Sequence, residues 1–327
     1  MAGSGDAHLR PHADPVLQVT DLVVEFPVGR RQVVHAVSGV SVDLLDGETL
    51  GVVGESGCGK TTLGRAVMQL QRADAGAVRY RGRELTELDG EALAKARNRM
   101  QMIFQDPVSS LNPRRRVREI VREGLEIWGD ADGPWSAARV DEIMEAVGLG
   151  GADVGARRPH EFSGGQCQRI CIARALVMDP DVLILDEPVS ALDVSVQAQI
   201  LNLLEDLKAT FDLAMVFVSH DLAVVRNVSD RVMVMYLGKI CEIADTEQMF
   251  DEPAHPYTRA LLASIPGHPF DLPPAAELIS GELPSPIDPP SGCRFRTRCP
   301  LASARCATDE PELRKISAGH FVACHHA

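Results

Sequence analysis

Three stretches of the sequence predict an α/β fold, in which a parallel sheet carries polar loops to one of its edges. The first is a short apolar run, Thr49-Leu-Gly-Val-Val53, followed by Gly54-Glu55-Ser56-Gly57-Cys58-Gly59-Lys60-Thr61 and the helix-like Thr62-Leu-Gly-Arg-Ala-Val-Met-Gln-Leu70. The second is Val182-Leu-Ile-Leu185, which ends in Asp186-Glu187-Pro188. The third is Ser163-Gly164-Gly165-Gln166, which opens the helix-like Cys167-Gln-Arg-Ile-Cys-Ile-Ala-Arg-Ala-Leu176. Short apolar runs of this kind read as buried strands, and ligands of open α/β sheets bind where such strands end.

Taken in order, the chain opens on a polar stretch, residues 1–15, which lacks the apolar segment of a secretory signal and reads as a flexible leader. Strand-like alternation runs from about 16 to 82, as in Val40-Ser-Val-Asp-Leu44, around the loop from Gly54 to Thr61. That loop fits G-x-x-x-x-G-K-[ST], whose chemistry is phosphate binding. Its glycines let successive backbone N–H groups converge on the α- and β-phosphates of a nucleotide. Lys60 reaches the β- and γ-phosphates, and the Thr61 hydroxyl faces Mg²⁺. Cys58 lies near a helix N-terminus, a setting that lowers thiol pKa values, so thiol reagents are expected to inhibit and ATP to protect. The alternative is a small residue that merely fills a loop position.

From about 106 to 160 the sequence turns mostly helical, as in Glu142-Ile-Met-Glu-Ala-Val147. A basic cluster, Arg114-Arg115-Arg116, precedes that helix and suits anionic lipid, a partner's acids or a solvated helix start. At Ser163–Gln166, backbone N–H groups of a helix N-terminus carry partial positive charge and can face an anion. Asp186 at its strand end suits Mg²⁺, commonly through water, and Glu187 suits orienting or deprotonating an attacking water. Ala214-Met-Val-Phe-Val218 is strand-like and leads to His220. Arg231-Val-Met-Val-Met-Tyr236 and Lys239-Ile-Cys-Glu-Ile243 read as a hairpin around Leu237-Gly238.

Together these motifs resemble the nucleotide-binding subunit of an ABC transporter, through nearly the whole chain. The SGGQ segment is the diagnostic part, since many P-loop proteins carry the other two motifs without it. The resemblance implies a P-loop ABC ATPase domain over 16–264, with a RecA-like α/β core, an antiparallel β subdomain and a helical subdomain at about 106–175. Gln105, in Met102-Ile-Phe-Gln105-Asp106-Pro107, matches the Q-loop, whose glutamine reaches the Mg²⁺ and water region. Ser190-Ala-Leu-Asp193 matches the D-loop, which crosses between subunits, and His220 matches the switch histidine at the γ-phosphate. Phe26 stands where the family has an adenine-stacking aromatic. The implied nucleotide set is therefore Phe26 with Gly54, Glu55, Ser56, Gly57, Cys58, Gly59, Lys60, Thr61 and Thr62. Mg²⁺ falls to Thr61, Gln105 and Asp186, and catalysis to Glu187, His220 and Gln105. Ser163, Gly164, Gly165 and Gln166 are expected to act on the ATP of a partner subunit.

Beyond residue 265 the composition changes to a small extension, 265–327. Nine prolines between Ile265 and Pro300 argue for an extended linker. Cys293, Cys299, Cys306 and Cys324 follow at C-x5-C-x6-C-x17-C spacing. Four thiolates suit tetrahedral Zn²⁺ or a [4Fe–4S] cluster, and the wide spacing leans toward the cluster. The same region, with His255-Pro-Tyr-Thr258 and Cys293-Arg-Phe-Arg-Thr-Arg-Cys299-Pro, resembles the C-terminal extension of peptide-import ATPases, some of which carry an iron–sulfur cluster on these cysteines.

With 33 basic and 46 acidic residues, the net charge of −13 argues against a nucleic-acid-binding surface. No run approaches the roughly 18–20 apolar residues of a membrane span. The resemblance implies a peripheral subunit at the cytoplasmic face of the membrane, hydrolysing ATP to import oligopeptides or dipeptides. Its implied partners are a second, related ATPase chain, two transmembrane permease subunits and an extracytoplasmic peptide-binding protein. Rival readings are the same engine serving nickel or another small solute, a soluble ABC ATPase of translation or DNA repair, and a non-hydrolysing regulatory subunit. The intact Lys60, Asp186, Glu187 and His220 argue against the last.

Overall fold

The structure, a computed structural model, describes residues 5–10, 13–29, 31–128, 134–265 and 279–327. It divides into two compact units, one formed by Met1–Leu88 with Phe217–Ala327 and the other by Asp89–Val216.

In the first unit, β1 (Leu17–Val28) pairs antiparallel with β2 (Gln32–Leu44). Strand β3 (Thr49–Val53) is buried at every position, which is why its sequence is continuously apolar instead of alternating. Helix α1 (Lys60–Val67) starts two residues before the stretch read as helical. Its N-cap, Gly59, has φ 105, a left-handed conformation that suits glycine. The helix also stops early, because Gln69 turns left-handed at φ 54 and breaks the ladder. Strands β4 (Ala75–Tyr80) and β5 (Arg83–Glu84) complete an antiparallel sheet of order β2-β1-β4-β5.

The second unit contains α2 (Gly90–Asn98), β6 (Met100–Ile103), α3 (Val117–Trp128), α4 (Pro134–Ala146), α5 (Ala152–Ala156), α6 (Gly164–Leu176), β7 (Val182–Asp186) and α7 (Val194–Phe211). Helix α3 buries Val117, Ile120, Val121 and Leu125, the i, i+3, i+4, i+8 stripe of an amphipathic helix. Ahead of it, Arg115 of the basic cluster turns back to Glu123 at 2.7 Å. Strands β6 and β7 run parallel, from Met100 opposite Val182 to Ile103 opposite Leu185. The helices expected over 106–175 are thus part of a unit that also takes in these strands and α7.

Strand β8 (Ala214–Ser219) returns the chain to the first unit, followed by α8 (Leu222–Val228), β9 (Arg231–Tyr236) and β10 (Lys239–Asp245). Strand β9 lies parallel to β3 and antiparallel to β10. Leu237 and Gly238 form the two-residue hairpin turn at φ 43 and φ 78, both positive as a primed turn requires. After α9 (Thr246–Asp251) and α10 (Pro256–Ala263), the extension supplies α11 (Ala304–Thr308), β11 (Arg314–Ser317) and β12 (His320–Val322). It adds strands to the sheet: Glu242 of β10 faces Val322 of β12, and β12 pairs with β11. Residues 266–278 of the expected proline-rich linker lie outside the described residues.

The motif His255-Pro-Tyr-Thr258 works as a helix start. His255 Nδ1 accepts the Tyr257 N–H at 3.0 Å, and Pro256 occupies the first turn of α10, where no N–H is needed. Burial lowers the His255 pKa to about 4, so the ring is neutral and free to accept. Glu242, fully buried, accepts the Ala254 and His255 N–H groups and lies 2.6 Å from His320 Nε2.

A second buried network joins β2 to the start of β9. Arg231 Nη1 lies 3.1 Å from Asp43 and its Nε 3.3 Å from Glu48. Arg10, within the stretch expected as a flexible leader, bridges the same two acids at 3.0 and 2.6 Å. Nearby, buried His8 holds Ser41 O at 2.5 Å. These contacts pin residues 8–10, which polar composition alone does not reveal. Removing one partner of a buried pair leaves an uncompensated charge, so Asp43→Ala is expected to cost about 3 kcal/mol in urea unfolding. A loss below about 1 kcal/mol, the range of exposed pairs, would show that the network is not buried in effect.

Candidate functional site

In the first unit the loop from Gly54 to Thr61 joins β3 to α1, and three backbones meet around it. A Cβ on Gly59 would lie 2.1 Å from Ala36 O, and one on Gly238 would lie 2.8 Å from the same oxygen. Gly238 N–H in turn donates to Cys58 O at 2.8 Å, and Ser38 N–H donates to Gly238 O at 2.9 Å. Only residues without a Cβ allow β2, the loop and the β9–β10 turn to close on one another in this way. Inside the loop, Lys60 Nζ donates to Gly54 O at 2.7 Å and Glu55 O at 3.1 Å. The loop's lysine is thereby held against its own backbone, among the groups that the sequence pattern assigns to phosphate.

Glu55 is fixed from outside the loop. Its N–H donates to the Tyr257 hydroxyl at 2.8 Å, and its carboxylate accepts from Arg298 Nη1 at 2.8 Å. Tyr257 packs edge-on to Tyr236 at 4.8 Å, and Phe295 lies 5.2 Å from Tyr236 and 5.4 Å from Tyr257. Thr61 and Thr62 are half-buried in the first turn of α1, and Phe26 is half-buried on β1 opposite Val34. His220 is exposed directly after β8, and Asp221 caps α8 by accepting from Ala223 N–H at 2.8 Å.

In the second unit, β7 ends on buried Asp186, and the next residue, Glu187, has φ 49. A left-handed backbone at a glutamate is uncommon and recurs where a functional side chain must be aimed. Gln105 Nε2 donates to Glu187 Oε2 at 2.9 Å, so two residues chosen from separate motifs meet. Ser163 and Gln166 form a reciprocal capping box on α6: Ser163 Oγ accepts Gln166 N–H at 3.3 Å, and Gln166 Oε1 accepts Ser163 N–H at 3.0 Å. A Cβ on Gly165 would meet Val196 Cγ1 at 2.3 Å, whereas Ser163, Gly164 and Gln166 are exposed. Asp193 caps α7, accepting from Ser195 Oγ at 2.7 Å and Val196 N–H at 3.0 Å, which holds its carboxyl below the usual range.

Of the four late cysteines, Cys293 and Cys306 are in backbone contact. Cys293 N–H donates to Cys306 O at 2.9 Å, and Cys306 Sγ lies 3.6 Å from His326 Nε2. Burial, opposed by a bond from Phe295 N–H and reinforced by the other three thiols, pushes Cys293 up to about 11. Burial also raises Cys299 and Cys324. All four thiols are free. Thiolates are the donor type such a metal group needs, but among the described residues no three His, Cys, Asp or Glu side chains are arranged to hold a metal ion.

Residues 37–190 match the family model described as ABC transporter, and residues 241–306 match that of the oligopeptide/dipeptide transporter, C-terminal region. The chain is 48% identical to "Oligopeptide transport ATP-binding protein OppF" of Escherichia coli (strain K12), over 94% of this chain and 95% of that one. It is 47% identical to "Oligopeptide transport ATP-binding protein AppF" of Bacillus subtilis (strain 168), over 95% of this chain and 97% of that one. The chain belongs to the ATP-binding proteins of the oligopeptide/dipeptide ABC transporter family. Its fold agrees with solved cassettes. MJ0796, a bacterial ABC transporter cassette solved as a dimer, aligns at TM-score 0.64 and 26% identity over 70% of this chain and 98% of that one. CbiO1 from Clostridium perfringens aligns at TM-score 0.64 and 26% identity over 73% of this chain and 92% of that one.

As an ABC ATPase the chain uses ATP and Mg²⁺, and the residue types fit both: a lysine and hydroxyls open α1, and a carboxylate ends β7. Among the described residues no helix is long and apolar enough to cross a membrane. The expectation for Cys58 is corrected. Its side chain is 1% exposed, and burial raises its pKa more than nearby Lys60 lowers it. Tyr257 and Arg298 join the loop without any local signal in the sequence, since their contacts with Glu55 span 202 and 243 residues. Iodoacetamide at a pH of about 7.5, below the range of an ordinary thiol pKa, is therefore expected to leave Cys58 largely unlabelled with and without ATP, as peptide mass analysis reads. Rapid labelling in the absence of ATP would contradict the buried thiol.

Proposed function

We propose that this ABC ATPase powers the import of oligopeptides or dipeptides across the cytoplasmic membrane, working peripherally on its inner face. The observation that carries this reading is the combination, in one chain, of the full cassette with the extension typical of oligopeptide/dipeptide transporters. Relatives matched over nearly their whole length bear peptide-transport names, which supports the same cargo class here. Nickel or another small solute is the alternative cargo, because cargo is chosen by subunits outside this chain.

In the proposed cycle, Gly54 to Thr62 and Phe26 hold ATP, and Thr61, Gln105 and Asp186 attend to Mg²⁺. Glu187 orients the attacking water and receives its proton, while His220 contacts the γ-phosphate. The bond from Gln105 to Glu187 supports a coupled role for these two residues, with Glu187 restrained until nucleotide and metal compete for Gln105. Exposed Ser163, Gly164 and Gln166 suit a head-to-tail dimer in which the signature of one ATPase caps the ATP of the other, and Asp193 lies at the crossing. The dimer formed by the similar MJ0796 cassette supports pairing of two ATPase chains. The proposed assembly contains a related second ATPase, two membrane permease subunits and a peptide-binding protein. Val108, 58% exposed just after Gln105, suits contact with an apolar partner surface.

For the extension we propose a [4Fe–4S] cluster on Cys293, Cys299, Cys306 and Cys324, with Zn²⁺ as the alternative. Four free thiols grouped late in the sequence support a shared ligand, although among the described residues no three His, Cys, Asp or Glu side chains are arranged to ligate one. Iron and sulfide in the anaerobically purified chain, with the visible absorbance of such clusters, are the expected result; stoichiometric zinc without iron excludes the cluster.

General-base catalysis is typically worth ~10²–10⁴-fold, so Glu187→Gln should retain ATP binding and lose turnover by that order. Near-normal phosphate release from this variant removes Glu187 from the role. Co-purification of two membrane proteins and a second ATPase is expected from native membranes, and ribosomes or DNA in their place would overturn the transport reading.

A further inference from the structure

Two residues from the C-terminal part of the chain, Tyr257 of α10 and Arg298 of the extension, meet at Glu55 of the nucleotide loop and hold its main chain and its side chain. Tyr257, fully buried, accepts the Glu55 N–H at 2.8 Å. Arg298, 8% exposed, donates to Glu55 Oε2 at 2.8 Å and lies 3.5 Å from the Tyr236 hydroxyl. The segment carrying Arg298 is itself anchored. Arg294 Nη1 donates to Leu237 O, its Nη2 donates to Ser38 Oγ at 3.0 Å, and Phe295 packs against both Tyr236 and Tyr257. Arg298 therefore does not wander in solvent as an exposed arginine does; it is delivered to Glu55 by a buried scaffold.

This matters because Glu55 carries a negative charge within a loop built to hold phosphates. An unpaired carboxylate there repels the ligand, and an untethered peptide at position 55 frees the loop to misdirect its neighbouring N–H groups. We propose that Arg298 and Tyr257 are positioning residues for ATP binding: Arg298 neutralises the Glu55 carboxylate and Tyr257 fixes the Glu55 peptide, so that α10 and the extension together set the nucleotide affinity of the loop. Neither residue touches nucleotide in this role; both act through Glu55. The inference rests on the reading of residues 54–61 as the nucleotide loop. It assigns the extension a function separate from any metal its cysteines bind, although Arg298 sits directly before Cys299 and shares its segment with Cys293.

The test is titration of the full-length chain with a fluorescent ATP analogue, with thermal melting measured alongside. Arg298→Ala is expected to weaken binding on the order of tenfold, the scale of a charged hydrogen bond with partial exposure. Adding Glu55→Gln to Arg298→Ala is expected to recover most of that loss, because the unpaired charge is gone. A merely structural staple gives no such rescue. Tyr257→Phe keeps the ring and removes only the acceptor, and is expected to raise the Kd roughly threefold with little change in melting temperature. Wild-type affinity in Arg298→Ala, or a double variant that binds no better than Arg298→Ala, overturns the proposal. Should Arg298→Ala fail to melt cooperatively, Arg298→Gln replaces it in both arms under the same criteria. Separately, if wild type binds the analogue no more tightly than Lys60→Ala does, the nucleotide-loop reading itself fails.

Discussion

Three stretches of backbone close on each other at Ala36, Gly59 and Gly238 with no room for a side chain between them, and the nucleotide loop takes its shape from that closure. The distance of 2.1 Å from Ala36 O to the place of a Gly59 Cβ leaves only glycine at the start of α1. The bond from Gly238 N–H to Cys58 O then commits the β9–β10 turn to the same point. That short primed turn sets Tyr236 opposite Lys239 and Met235 opposite Ile240, before the register shifts between Ile240 and Glu242. Strand β9 in turn lies parallel to β3, from which the loop springs. The loop is thus framed on both sides by elements that its own geometry helps to align.

Around this frame the unit buries several charged side chains against partners. Arg231 answers Asp43 and Glu48, Glu242 answers two backbone N–H groups and His320, and Arg294 answers Leu237 O and Ser38 Oγ. Unmatched, any of these groups would cost more than a lost contact. Matched, they fix strand ends and turns that apolar packing alone leaves free to slide. The second unit uses a lighter device at its functional edge. One strained residue, Glu187, is aimed by its left-handed backbone and steadied by Gln105, while capping side chains at Ser163, Gln166 and Asp193 set where α6 and α7 begin.

Much of this was legible in the sequence because its determinants are local. The strand before the loop, the strand ending at Asp186 and the hairpin at Leu237-Gly238 follow from apolar runs and turn residues a few positions apart. The bounds of α1 were less legible, since Gln69 adopts a left-handed conformation that its identity does not announce. The anchoring of residues 8–10 was hidden because Arg10 and His8 find their partners more than thirty positions away, in β2 and the turn after it. Cys58 misled for a related reason: position near a helix start suggests an acidic thiol, but burial, which only the folded chain supplies, pushes the other way. The late cysteines stand out in the sequence by their crowding, but among the described residues no three His, Cys, Asp or Glu side chains are arranged as ligands.

The grip of Arg298 on Glu55 spans 243 residues, and that separation has a consequence for the order in which the protein matures. At a synthesis rate of about 5–20 residues per second, Glu55 waits on the order of 10–50 s for the residue that neutralises it. Contacts so distant in sequence also close late in folding, after local structure has formed. The nucleotide loop is therefore among the last parts of the unit to receive all its contacts. Until the extension is made, the charge on Glu55 has no answer from Arg298, and completion of the chain completes the nucleotide loop.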